Sequence, residues 1–335
     1  MDRDFENRRR DASSLLAPQP RSRRGSAPLV AAALAAALVG AGPAAAKPAL
    51  DLLSIVTPPT LAGTYLAGRL ASANRDIAAA AGYFQTALAI DPGNPILTER
   101  TFQFLLADGR IKDALPIAER LIARDKGHAL ARLVLGVDAL KKGMWDRARG
   151  HFQQTTPRPL TDLTVAILTG WTLAGKGETE AALKTVDKVS GLDWYAVFKN
   201  FHGALIADAG GQKVEAARRM ALAYSGDTRA LRVVEGQIRL LARARKTAEA
   251  LAVIAEFEKT IPDHPVVQGL KADITAGRAV GPIVATPQAG AAEFLYGLGS
   301  AMGRDGGEDI AAMYLQLALW LTPEAELPLI ALAGL

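Results

Sequence analysis

The four histidines are the residues best suited to acid–base or metal chemistry, but their spacing supports neither. They stand at His128, His151, His202 and His264, and no two are three or four residues apart, the separation that places two ligands on one face of a helix. The chain has no cysteine, which excludes zinc thiolate sites, iron–sulfur clusters, disulfides and a cysteine nucleophile. We interpret the histidines as structural or surface residues and predict no metal site.

The sequence also lacks the motifs that are typical of catalytic sites. The glycine-rich segment 297–303 superficially resembles a nucleotide-binding loop, but no strand precedes it in the sequence pattern. The sequence has no Gly-x-Ser-x-Gly motif, and its acidic residues are scattered so that no catalytic carboxylate pair can be named. These observations predict that the protein is not an enzyme and needs no cofactor.

The charge of the chain is concentrated at its N-terminus. The formal net charge is +5, but residues 48–335 hold 31 basic and 30 acidic residues and are therefore nearly neutral. A neutral body of this size does not present the basic surface that nucleic-acid binding requires. We therefore predict no nucleic-acid partner.

The elements that carry these residues repeat every 34 positions. Each unit contains two apolar runs with the i, i+3, i+4 spacing of amphipathic helices, separated by a short turn. The same alanine recurs at Ala80, Ala114, Ala148, Ala182, Ala216 and Ala250. The position five residues earlier, in the turn, holds glycine in four of the six units. The repeating unit is therefore predicted to be a helix–turn–helix.

The third unit carries the clearest motif residues: Leu135 and Gly136 in the first helix, Gly143 in the turn, and Ala148 and Phe152 in the second helix. This pattern resembles the tetratricopeptide (TPR) repeat. The resemblance implies an all-α, right-handed solenoid of about seven repeats, in which small residues such as Gly136 allow the two helices to cross closely. It also implies a protein or peptide partner.

The register breaks once and then resumes. Six repeats are predicted over residues 60–263, followed by a half-repeat and a Pro/Gly-rich loop at 264–290 and by a seventh repeat at 291–324 containing Ala311. Residues 325–335 begin a further helix that ends in apolar sequence at Leu335. Solenoids normally close with a polar cap, and we expect none here. This leaves open that the chain is part of a longer protein or that its end packs on a partner.

In TPR proteins the first helices of the repeats line the concave surface, so the resemblance implies a groove. Its proposed lining is Leu133, Val137, Ile167, Trp171, Phe198, Phe201, Arg232, Arg239 and Arg243. An apolar, aromatic stretch beside three arginines suits an apolar peptide that carries an acidic group or a C-terminal carboxylate. The alternative is that the apolar members belong to the core.

Residues 1–46 have the features of an export signal. An arginine-rich segment precedes the uncharged apolar run 29–40, and an Ala-x-Ala site ends at Ala46. We expect cleavage after Ala46, a linker at 47–59 and a periplasmic mature chain that begins at Lys47. The alternatives are an uncleaved membrane tether formed by residues 25–46 and a buried alanine-rich helix.

Two classes of function remain open from the sequence. The first is a non-catalytic exported TPR scaffold that binds a protein or peptide in the cell envelope. The second is the regulatory or substrate-binding TPR portion of a longer enzyme, such as a glycosyltransferase. The apolar end at Leu335 is the feature that keeps the second class open.

Overall fold

A computed structural model describes residues 58–303 and 307–335, and this part of the chain consists of sixteen α-helices without a strand. The predicted all-α fold of helix–turn–helix repeats is confirmed. The expected signal and most of the linker lie outside the described residues.

Six hairpins follow one another: α1 (Leu61–Ala73) with α2 (Ile77–Ile90), α3 (Pro95–Ala107) with α4 (Ile111–Arg124), α5 (Ala129–Lys141) with α6 (Trp145–Gln153), α7 (Pro159–Gly175) with α8 (Thr179–Asp187), α9 (Tyr195–Ala209) with α10 (Lys213–Gly226), and α11 (Leu231–Arg243) with α12 (Thr247–Glu258).

Four helices follow the sixth hairpin. They are α13 (Pro265–Thr275), α14 (Pro287–Met302), α15 (Glu308–Leu321) and α16 (Glu326–Ala333). The first-helix face is defined here as the surface formed by α3, α5, α7, α9 and α11.

The turn inside each of the six hairpins has a left-handed residue at the same place. Its backbone φ lies between 59° and 79°. The next amide then bonds back across the helix end, as when Arg110 N donates to the carbonyl of Leu105 at 2.8 Å. Glycine adopts this conformation without steric cost, whereas other residues are strained in it. The six residues are Arg75, Gly109, Gly143, Gly177, Gly211 and Arg245.

Small residues allow the two helices of each hairpin to approach closely. The repeat alanines from Ala80 to Ala250, and Ala311 in α15, are completely buried. A β-carbon added at Gly136 would lie 2.3 Å from Cε1 of Phe152 on the second helix. Any side chain at this position would therefore force the two helices apart.

Helix α13 packs on the sixth hairpin and forms an end of the stack. Its Val267, Leu270 and Ile274 are buried in a separate small core with α11 and α12. Lys271 and Thr275 lie on its other side, partly or fully exposed. Helix α13 therefore supplies a polar outer surface to the sixth hairpin. The expected lack of a polar cap concerned the end of the sequence at Leu335, and it stays a prediction.

The hairpin α14–α15 leaves the stack. Helix α14 packs against α7 and α9, and α15 packs against α3 and α5, so the hairpin lies across the first-helix face. The segment 276–286 between α13 and α14 contains Gly277, Gly281 and Pro282 and is not helical. The sequence register identified the helices of a seventh unit but did not indicate that the unit packs on the face of the preceding repeats.

Candidate binding surface

The first-helix face carries the residues that were predicted to line a groove, and the hairpin α14–α15 covers them. Leu133, Val137, Ile167, Trp171 and Phe201 are buried in the main core, which also contains residues of α14 and α15. Phe198 is partly buried against the same core. The apolar members thus occupy core positions, the alternative that the sequence left open. Binding of a separate peptide at these residues remains a prediction.

Trp171 lies at the centre of the contact between α7 and α14. A β-carbon added at Gly290 would lie 2.3 Å from the Trp171 ring, so only glycine permits α14 to pass at this distance. One turn further along, Phe294 stacks edge-on against Phe198 and His202, with ring centroids 6.1 Å and 5.3 Å apart. On α14, small Gly290 therefore faces the large Trp171 ring, and large Phe294 packs against the rings of Phe198 and His202.

His202 is a structural residue of this contact. Its Nδ1 accepts a hydrogen bond from Trp171 Nε1 at 3.3 Å, and Phe201 packs edge-on against its ring. Complete burial lowers the pKa of His202 to about 3, because the charged imidazolium would lose its hydration. The side chain is therefore neutral near pH 7 and accepts this bond as part of the core.

The three predicted arginines are all paired within the chain. Arg232 and Arg239 both bind Glu235 on their own helix, and Arg243 binds Asp208 at the end of α9. Arg239 also donates to the carbonyl of Gly281 at 3.1 Å. Among these three arginines, none is left as a free cation for an external carboxylate.

One of these arginines joins the stack to the hairpin. Arg232 Nε donates to Glu293 Oε1 at 2.8 Å, and Nη2 donates to Glu293 Oε2 at 2.6 Å. A bidentate ion pair therefore connects α11 to α14. Burial alone would lower the pKa of Arg232, but the carboxylates of Glu293 and Glu235 raise it above its usual range. The Arg232 guanidinium is therefore charged throughout the physiological range.

Helix α15 adds polar contacts at the other end of the face. The Lys141 ammonium binds the carbonyl oxygen of Trp320 and lies 3.9 Å from the centroid of its ring. Gln316 Nε2 donates to the carbonyl of Ala107 at 3.3 Å. An ion pair thus connects the hairpin to α11. A hydrogen bond from Gln316 connects it to α3, and the contact between Trp320 and Lys141 connects it to α5.

The residues that α14 and α15 contribute to this contact were not predicted from the sequence. Gly290, Glu293, Phe294, Gln316 and Trp320 were not assigned to the site. The repeat register placed Gly290 at the end of the loop 264–290 and the other four residues in a seventh stacked unit. One signal could have identified them. Helix α14 is buried on several sides, with Ala291, Ala292, Phe294, Leu295 and Leu298 all in the core, and a helix that is apolar around most of its circumference must be enclosed.

The first-helix side of the stack is open beyond the hairpin, at its N-terminal end. A cavity of about 330 Å³ lies between α1 and α3. Its lining is largely apolar and includes Leu61, Tyr65 and Ile96. The residues of the predicted groove do not line this cavity.

Within residues 58–303 and 307–335, no group of three or more histidine or acidic side chains could hold a metal ion. No helix in the same part of the chain has the length and hydropathy needed to cross a bilayer. The proposed tether at residues 25–46 lies outside these ranges.

Comparison with known proteins gives similarity in structure but not in sequence. No protein-family model matches the sequence, and no curated protein matches it. A tetratricopeptide repeat protein from Parabacteroides merdae ATCC 43184 aligns with 77% of this chain and 98% of its own, at 14% identity and a TM-score of 0.51. A thermophilic TPR protein from Thermus thermophilus aligns with 65% of this chain and 100% of its own, at 19% identity and a TM-score of 0.30. YrrB, described as a TPR protein with an unusual peptide-binding site, aligns with 75% of this chain and 98% of its own, at 15% identity and a TM-score of 0.27.

Proposed function

The chain has the fold of tetratricopeptide-repeat proteins, and from this premise we propose that it is a non-catalytic scaffold that binds a protein partner in the cell envelope. The observation that carries the proposal is the occupied first-helix face. This surface holds a pair of helices through an aromatic centre, a closely fitting glycine and a bidentate ion pair. It is therefore built to recognise helical protein segments.

The roles of the histidines support a non-catalytic scaffold. His128 Nδ1 accepts the amide of Ala131 at the start of α5, and its Nε2 lies 3.0 Å from Glu99. His202 is buried and neutral, and the ring of His264, just before α13, packs edge-on against Phe257. These three histidine side chains make structural contacts.

The location in the cell envelope is proposed from the sequence of residues 1–46, with its arginine-rich segment, apolar run and Ala-x-Ala site. Edman sequencing of the chain recovered from the periplasm tests this directly. We expect the sequence to begin at Lys47. A cytoplasmic chain that retains residues 29–46 would contradict the proposal.

A TPR portion of a longer enzyme is the second candidate function. Its support was the apolar end at Leu335, which left the solenoid without a cap. We favour the scaffold, because the occupied first-helix face is seen in the described residues, whereas the second candidate rests on the apolar sequence at Leu335.

In-cell cross-linking tests the scaffold function. The full chain with a C-terminal tag is expressed at its native level, cross-linked in the cell and purified, and the joined proteins are identified by mass spectrometry. The control is the same tagged chain without residues 1–46. We expect one envelope protein to be enriched with the full chain and not with the control. Recovery of the full chain alone, with no enriched protein, would contradict a scaffold function.

A further inference from the structure

The surface of α14 that meets the stack has a regular pattern. Gly290, Glu293, Phe294 and Gly297 are spaced i, i+3, i+4 and i+7, so they form one stripe along the helix. Each meets a defined feature of the first-helix face. Gly290 lies on Trp171, Glu293 binds Arg232, Phe294 packs on His202, and a β-carbon at Gly297 would lie 3.4 Å from Phe198.

The connection of this hairpin to the stack differs from that of the repeats. Each of the six repeats is joined to the next by a short turn, whereas α14 follows the non-helical segment 276–286, most of which is exposed. The end of the stack, α11–α13, has a small core of its own that contains no residue of α14 or α15. This end of the stack therefore has a small core that is separate from the one the hairpin shares.

We infer that the hairpin α14–α15 occupies the partner site of this scaffold in cis, and that the partner is a protein helix with the same stripe. That helix carries a small residue over Trp171, a carboxylate three positions later for Arg232, an aromatic residue four positions later, and a small residue seven positions later. The inference rests on the proposed function and names the chemistry of its partner.

Two side chains of the first-helix face, Arg232 and Trp171, select this kind of partner over other ligands. The bidentate fork of Arg232 fits a planar carboxylate and is already oriented by Glu235. The ring of Trp171 leaves no space for a side chain at the crossing point, so a bulky residue there is rejected. A hairpin tethered by a short linker has an effective concentration on the order of millimolar, so a partner must bind more tightly than the hairpin does.

A peptide-binding experiment on the full chain tests the inference. The host carries Ala107→Cys and Gln316→Cys, two positions that the Gln316–Ala107 hydrogen bond places together on α15 and α3. Because the chain has no other cysteine, a short bismaleimide joins only these two and locks the hairpin in place. The host also carries Glu293→Gln, which weakens the ion pair that holds the hairpin in cis. The probe is a fluorescent synthetic peptide of residues 287–302, and the control peptide carries Gly290→Leu.

We expect the probe to bind the unlocked host at least tenfold more tightly than the locked host, and the control peptide to bind the unlocked host at least tenfold more weakly than the probe. Equal binding by the locked and unlocked hosts, or no binding by the unlocked host, would overturn the inference. If the host with Glu293→Gln does not fold, the two-cysteine host without this change is titrated to millimolar peptide and judged by the same outcomes.

The failure of this inference and the failure of the scaffold function give different results. Equal peptide affinity for the locked and unlocked hosts refutes the inference that the hairpin occupies the partner site, even when cross-linking in the cell recovers a partner. Recovery of no partner refutes the scaffold function, even when the peptide competes with the hairpin.

Discussion

Trp171 shows how a single residue defines the surface that the repeats present. Its ring is completely buried, its Nε1 donates to His202, and Gly290 of α14 passes directly over it. An open groove would leave the same ring accessible to solvent. The energetic consequence of truncating Trp171 therefore distinguishes a covered face from an open one.

We expect Trp171→Ala to lower the free energy of unfolding by about 3–5 kcal/mol, the usual cost of truncating a buried aromatic residue. Urea denaturation followed by circular dichroism measures this change. The matched control is Trp194→Ala, because Trp194 is 40% exposed and its loss should cost much less. Equal effects of the two substitutions would mean that Trp171 is not covered.

The turn residues provide a second prediction. Arg75 and Arg245 have φ values of 59° and 60°, where the other four repeats have glycine. Because a non-glycine residue is strained there, Arg75→Gly and Arg245→Gly should each raise the free energy of unfolding by about 1 kcal/mol. Thermal denaturation checks this. Arg69→Gly, inside α1, is the control and should destabilise the chain; a loss of stability in all three variants would contradict the prediction.

His202 makes stability depend on pH. Its pKa is lowered by burial to about 3, whereas the unfolded value is about 6.5, so the unfolded state binds the proton first. The stabilisation is present above pH 6.5 and is lost as the pH falls toward 3. We expect this group to cost the protein about 2 kcal/mol between pH 7.5 and pH 5.0.

The substitution His202→Gln isolates this effect, because glutamine retains an acceptor for Trp171 and does not titrate. Urea denaturation at the two pH values should show a smaller loss of stability in the variant than in the parent chain. The His128 pKa is raised by its bond to Glu99, and this group acts in the opposite direction in both proteins, so the difference between them remains. Identical pH dependence in the two proteins would contradict the assignment.

At the scale of elements, the hairpin α14–α15 is held by few polar contacts, and the Arg232–Glu293 pair is the strongest. Removing one partner of a buried ion pair costs about 3–5 kcal/mol when the other charge is left unpaired. Arg232 keeps its bond to Glu235, so we expect a smaller loss here. We expect Glu293→Gln to accelerate amide hydrogen exchange in α14 and α15 while exchange in α9 and α10 changes little. Hydrogen-exchange mass spectrometry measures both.

The matched control for this prediction is Glu256→Gln. Glu256 pairs with Lys259 on an exposed surface, where an ion pair contributes little to stability. Exchange in this variant should match that of the parent chain throughout. Acceleration spread evenly over all helices in Glu293→Gln would contradict a hairpin that opens separately from the stack.

The periodicity of the sequence indicated how helices pair but not where every pair packs. The alanine at position 148 recurs every 34 positions because each hairpin needs its own close crossing, and this signal is local. Gly299 and Ala311 give the same signal in α14–α15. The destination of that hairpin depends on contacts such as Arg232–Glu293, between residues 61 positions apart, and no local pattern encodes them.

The candidate site was predictable in the same partial way. The first-helix residues from Leu133 to Arg243 were identified because the repeat register assigns them to one surface. The register gave no indication that Glu235 and Asp208 pair with the arginines, or that Glu293 approaches from another element. The sequence predicted an apolar ligand with an acidic group, and binding of such a separate ligand stays a prediction. Within the chain, α14 places Phe294 and Glu293 against this surface.

One arrangement distinguishes the whole molecule from a simple solenoid: the hairpin α14–α15 lies on the first-helix face instead of extending the stack beyond α13. This arrangement explains the buried aromatic centre and the ion pair between Arg232 and Glu293. It also explains why the outer surface of α13 is polar. If the hairpin extended the stack instead, α13 would be an internal helix and Trp171 would face solvent.

Cross-linking between α3 and α15 tests this arrangement most directly. In the cysteine-free chain, Ala107→Cys and Gln316→Cys replace two residues that share a 3.3 Å hydrogen bond. A short bismaleimide at high dilution should join them within one molecule, and mass spectrometry should recover the joined peptides in high yield from the monomer. Monomers that react at both cysteines without becoming joined would contradict the central claim, because the hairpin would then lie away from the first-helix face.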